Sequence, residues 1–161
     1  MARFKSMNLL GTLVMALAAT PSLSGEPRLA IVTSATAPPT ITGNRLDLRA
    51  LRRIYRRQQL LWRNGGRILP LNLPASSPLR SAFTQSLFKR SVTEMATYWN
   101  EAYFDGKRPP HVVDSQEAVL RFVTRYPGAI GYIATCRTDA RVKVLMTLKP
   151  PKPLPDTVCN D

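Results

Sequence analysis

DSQEAVLRFVTRYPGAIGYIAT, residues 114–135, holds a helix, a stop and a strand in immediate succession. Residues 114–126 read as an amphipathic helix, Pro127-Gly128 ends it, and AIGYIAT (129–135) has the unbroken apolar character of a buried strand. Gly128 and Gly131 permit a tight helix-to-strand turn and a close backbone approach. A strand entered directly from a helix is the unit of a layered α/β architecture.

Working outward, the same alternation recurs. RLAIVTS (28–34) is a short β-rich run, and the Thr/Pro/Gly stretch 35–44 is a loop. LDLRALRRIYRR (46–57) places apolar residues at 48, 51 and 55, a helical spacing, with Asn44 or Asp47 as its start. WRNGG (62–66) is a turn before the strand RILPLNL (67–73). A helix is expected from about Pro78 to Lys89. Another covers 91–104, where Ser91 and Glu94 fit a capping box. HVV (111–113) is a brief strand, and RVKVLMTL (141–148) alternates as a half-exposed strand does. Strands interleaved with helices predict an α/β fold.

The ends of the chain read differently. Arg3 and Lys5 precede the apolar run Met7–Ala19, and small residues follow to Gly25, the pattern of a secretory signal over residues 1–24. An uncleaved anchor is the rival reading. Removal of the signal leaves roughly 140 residues, enough for one domain with one core. The expected division is 1–24 signal, 25–148 α/β domain and 149–161 proline-rich tail. Cys136 and Cys159 are the two cysteines, and an even count in an exported chain reads as a disulfide. Closing that loop would add about 3 kcal/mol and pin the tail KPPKPLPDTVC to the domain. The formal net charge is +13, and Arg3 and Lys5 carry only two of those charges. A balance this basic favours anionic partners: phosphate-like ligands, anionic surfaces or acidic proteins. Export argues against nucleic acid, and no span crosses a membrane beyond the signal.

LPASSPLRSAF (73–83) opens the second helix with Ser77 as N-cap and Pro78 at the first helical position. A helix start offers unpartnered N–H groups and a favourable dipole to an anion. Arg80 falls in that first turn, where a cation opposes the dipole unless an anion accompanies it.

Taken together, DLRALRRIYRRQQLLWRNGGRILPLNLPASSPLRSAF, then YFDGKRPP, then PGAIGY resemble the phosphate-binding-protein-like family, the solute-binding components of phosphate ABC transporters. The resemblance runs from about Arg28 to Ala134. It implies a three-layer α/β sandwich like one lobe of a type II periplasmic solute-binding protein, without enzymatic activity or cofactor. It also implies an oxyanion ligand at the helix start, where the residues of this sequence offer Ser76, Ser77, Leu79 and Arg80. Two departures stand out. The family's anion loop reads roughly Arg-x-x-x-Ser-Gly-Thr; here Leu73, Pro78 and Leu79 occupy the Arg, Gly and Thr positions, and only Ser77 is retained. The first lobe of a full-length member has no counterpart in the sequence, so a weak or partner-assisted site is expected.

Little else carries chemistry. His111 is the single histidine and reads as a surface residue; with it and two bridged cysteines no zinc site has enough familiar ligands. Ser76 and Ser77 lack a nucleophile-elbow context. No catalytic residue is expected. Arginines line the first helix, with Arg49, Arg53 and Arg56 sharing a face opposite Leu48, Leu51 and Tyr55. That face is either solvated or the footprint of an acidic envelope protein or anionic surface. Trp62, Trp99, Tyr98 and Phe104 are expected to pack in the core or at its rim. The sequence therefore predicts an exported oxyanion-binding module, or alternatively an envelope interaction domain that uses its basic helix.

Overall fold

The computed structural model describes residues 25–36 and 46–160. The expected signal segment, Asn44, Arg45 and most of the 35–44 loop lie outside them. Five strands form one sheet: β1 (Leu29–Ser34), β2 (Leu69–Asn72), β3 (His111–Val112), β4 (Ala129–Ala134) and β5 (Val142–Leu148), in the order β3-β2-β4-β1-β5. β2 runs parallel to β3 and β4, whereas β1 is antiparallel to both β4 and β5. β1 and β4 are buried along their whole length, which explains why both read as continuous apolar runs.

Four helices accompany the sheet: α1 (Leu48–Tyr55), α2 (Pro78–Phe88), α3 (Val92–Phe104) and α4 (Gln116–Arg125). Each start has a local cause. Asp47 accepts from the Ala50 N–H at 2.6 Å, and Ser115 accepts from Ala118 at 3.1 Å. Ser91 and Glu94 form the expected reciprocal capping box. The buried residues of α4, Gln116, Val119, Leu120 and Val123, follow the spacing that one helical face requires.

Alternation along β4 creates the three layers. Gly131 faces α4, so closely that a Cβ there would lie 2.5 Å from Val119 Cγ1. Tyr132, its neighbour, points to the other face, where its ring stacks on Phe83 of α2. Tyr55 of α1 completes that aromatic layer, 4.6 Å from Phe83. α3 packs outside α2 around a small satellite core of Met95, Trp99 and Ala102. The structure thus has the expected α/β sandwich.

The helix-to-strand turn at 126–129 is tied across the sheet. Trp62 donates its indole N–H to the Gly128 carbonyl at 2.9 Å, and Gly128 adopts φ +88°, the left-handed region. A side chain at 128 would run into the Arg67 carbonyl. Trp62 is therefore core, as expected. Phe104 is not: it is 89% exposed at the C-terminal end of α3, because only the opposite face of that helix meets α2.

Candidate functional site

β2 ends at Asn72, and the chain then turns through residues 73–77 into α2. This places the first turn of α2 beyond the carboxyl ends of the parallel strands, where open α/β sheets bind ligands. Ser77 has the extended N-cap geometry and Pro78 follows at the first helical position, but the Ser77 hydroxyl makes no capping bond. The N–H groups of Leu79 and Arg80 consequently have no acceptor within the helix. Ser76 is exposed and Ser77 half-buried. Leu79 is 1% exposed, with its side chain in the core, so the most it could offer a ligand is its main-chain N–H.

Arg80 is the residue whose environment the sequence concealed. Its side chain turns inward, and its Nε and Nη1 atoms are buried without a hydrogen-bond partner. The guanidinium faces the Tyr132 hydroxyl and lies within electrostatic reach of Tyr55. Burial pushes the Tyr132 phenol up to about 12, with Arg80 pulling the other way. Burial likewise raises Tyr55 well above its usual value, with Tyr132 adding to the rise. Both phenols are therefore neutral and none neutralises the arginine. The Tyr132 oxygen accepts from the Leu73 N–H at 3.1 Å and donates to Asn72 Oδ1 at 3.2 Å. Tyr55 donates to the Leu71 carbonyl at 3.0 Å. These bonds hold the end of β2 rigid beneath the helix start.

The C-terminal tail supplies a neighbouring wall. Cys136 and Cys159 are bonded, with Cα atoms 5.6 Å apart. Gln116, buried at the start of α4, donates to the Val158 carbonyl at 2.7 Å and accepts from the Ala134 N–H at 2.8 Å. Held this way, Pro151, Pro153 and Pro155 border a groove whose other side is Pro78, Ser81 and Gln85 of α2. Nothing in the local sequence around Gln116, Asn72, Tyr55 or Tyr132 marked them as supports of this site. Their partners lie 16 to 60 residues away or more.

Of the three arginines expected to share a face, two are exposed and one is half-buried. Arg49 and Arg53 are exposed, and Arg53 bonds Gln59 Oε1 at 2.7 Å. Arg56 is the C-cap beyond α1, half-buried with its guanidinium 5.4 Å over the Phe88 ring. His111 is exposed at the sheet edge beside Phe122. Among the described residues no group of three or more His, Cys, Asp or Glu side chains could hold a metal ion, and no helix is long and apolar enough to cross a membrane.

Solved structures share this fold. An ABC-type phosphate transport receptor from Vibrio cholerae matches with a TM-score of 0.58 and 24% identity, over 74% of this chain and 46% of the receptor. A putative phosphate ABC transporter substrate-binding protein from Clostridium perfringens, solved with bound phosphate, matches with a TM-score of 0.59 and 19% identity, over 74% of this chain and 44% of its own. The chain has the fold of phosphate-transport substrate-binding proteins. PstS from Borrelia burgdorferi agrees, with a TM-score of 0.54 and 20% identity over 80% of this chain and 49% of that protein. The chain spans less than half the length of each of these proteins. No family model matches the sequence, and a search of curated proteins finds no relative.

Proposed function

We propose that this chain is a non-catalytic, extracytoplasmic binding domain that takes a phosphate-like oxyanion at the start of α2. The observation that carries the reading is the Arg80 guanidinium, a permanent charge with two buried nitrogens lacking partners, beside a helix turn whose first N–H groups are not capped by Ser77. Enclosed guanidinium nitrogens without partners are costly, and an oxyanion would satisfy both them and the helix start. Ser77 contributes a hydroxyl not used in capping, and Ser76 a second at the rim. The phosphate named in the Clostridium perfringens structure supports the ligand class. The disulfide supports an oxidising compartment, consistent with the signal-like segment before residue 25. The loss of the family's loop arginine and glycine, at Leu73 and Pro78, makes the site weaker than a full anion loop.

Thermal unfolding titrated with phosphate, sulfate and chloride at matched ionic strength tests this. A saturable phosphate-dependent shift is expected, near 2.7 kcal/mol at about 100 times the dissociation constant. Arg80→Gln and Ser77→Ala should remove it, and Arg53→Gln should not. An equal shift from every anion would reduce the effect to charge screening and refute the site.

A further inference from the structure

A second surface lies at the opposite end of β2 from the anion site. Residues 60–67 form a short hairpin closed by Trp62 N–H to the Gly66 carbonyl at 2.8 Å and Ile68 N–H to the Leu60 carbonyl at 2.8 Å. A bridge pairs Leu61 with Arg67. Trp62 turns inward and is anchored on Gly128, so the hairpin is held from below. Leu60 and Leu61 remain 50% and 54% exposed at its base. Two adjacent half-exposed leucines on a braced hairpin have no structural role that the fold explains.

The segment of chain that holds the hairpin carries charge of one sign. Between Asp47 and Glu94 the chain carries ten arginines and lysines and no carboxylate. The partners that the structure gives the arginines of α1 and its C-terminal end are neutral. Arg52 donates to the Leu87 carbonyl, Arg53 to Gln59 and Arg57 to the Ile68 carbonyl, and Arg56 lies over the Phe88 ring. Every ion pair among the described residues is made instead by Glu117 and Asp139 with Arg121 and Arg141. Arg57 and Arg67 stand close enough that their like charges repel, on top of the partial burial of Arg57, and both lower the Arg57 pKa.

We propose that the 60–67 hairpin and the adjoining end of α1 dock on a bilayer surface bearing anionic headgroups, with Leu60 and Leu61 entering the interface and Arg57, Arg63 and Arg67 facing lipid phosphates. Arginines whose existing bonds go to neutral carbonyls keep their charge available to lipid, and their methylene stems extend the apolar patch. An acidic protein would satisfy the charge but leave the leucines without a reason.

Co-sedimentation with vesicles of phosphatidylcholine, with and without about 30% phosphatidylglycerol, tests this surface. The full chain and the chain from Gly25 onward are compared, because the apolar run Met7–Ala19 would bind lipid whatever the headgroup charge. A phosphatidylglycerol-dependent component of binding is expected in both, and it should be the whole of the binding for the chain from Gly25 onward. It should weaken about 30-fold in Arg63→Gln/Arg67→Gln and about tenfold in Leu60→Ser/Leu61→Ser, with melting temperatures confirming that the variants fold. Free phosphate at matched ionic strength should not compete. The proposal is overturned by absence of phosphatidylglycerol-dependent binding. It is equally overturned if the leucine pair is dispensable, which would mean attraction by net charge alone. Release by phosphate would overturn it too, since lipid would then be held at the α2 site.

Discussion

The Phe83 ring lies on the Tyr132 ring, centroids 3.9 Å apart and planes 8° from parallel, so the helix that opens the proposed anion site is bolted to the central strand of the sheet. Tyr132 also spends its hydroxyl on Leu73 and Asn72. Tyr132→Phe keeps the stack but leaves the buried Leu73 N–H without its acceptor, at about 1–3 kcal/mol. Phe83→Ala removes the stack and opens a cavity, costing roughly 3–5 kcal/mol. Urea denaturation of the two variants should give that order.

The two glycines of the PGAIGY segment should respond differently to a methyl group. Gly131→Ala meets a side chain, Val119 Cγ1, and should cost about 1–3 kcal/mol as an overpacked contact. Adding Val119→Ala makes room, so the double variant should be more stable than the two single losses summed. Gly128→Ala meets the Arg67 main chain at a left-handed φ, where neither neighbour nor backbone can yield. It should cost more than Gly131→Ala, and Val119→Ala should not rescue it.

Acid should unfold the protein partly through Glu117. Hydrogen bonds from Arg141 and Arg121 hold its carboxyl down to about 2 from the usual 4.5, and Asp139 is lowered by the same Arg141. A depressed folded-state pKa means stabilisation present above the unfolded value and lost as pH falls through the folded one. Melting temperature should therefore decline between roughly pH 5 and pH 2 more steeply in the native protein than in Glu117→Gln. Parallel profiles would show that the exposed cluster contributes nothing measurable.

Breaking the disulfide should act on both stability and the tail. Cys136→Ser/Cys159→Ser is expected to lose about 3 kcal/mol in denaturant unfolding. With Gln116 and the buried Leu154 and Val158 left to hold it, residues 150–160 should gain amide exchange first. Unchanged protection there would mean that packing alone secures the tail.

Much of this was legible in the chain because the signals are local. The capping box at Ser91 and Glu94, the Asp47 cap and the glycine turn at 128 each depend on residues within a turn or two; the alternation expected of β5 does not appear in its burial, where Val144 is exposed. The candidate site was legible only at its main chain: Ser77 before Pro78 marks a helix start wherever it is placed. The inward turn of Arg80 was hidden, since an arginine in a first turn ordinarily reaches water. The exposure of Phe104 was hidden for the converse reason, since an aromatic at a helix end is buried only if a neighbour covers it.

By itself the sequence determined the order and type of the elements, the position of the α2 start and the cysteine pair, because propensity, capping and turn chemistry act between near neighbours. Only the assembled fold set two Arg80 nitrogens out of solvent near Tyr132, tied β4 to the tail through Gln116, and laid Arg56 over Phe88. Those outcomes depend on which surfaces the sheet brings together across tens of residues, and burial and charge compensation are properties of that assembled neighbourhood.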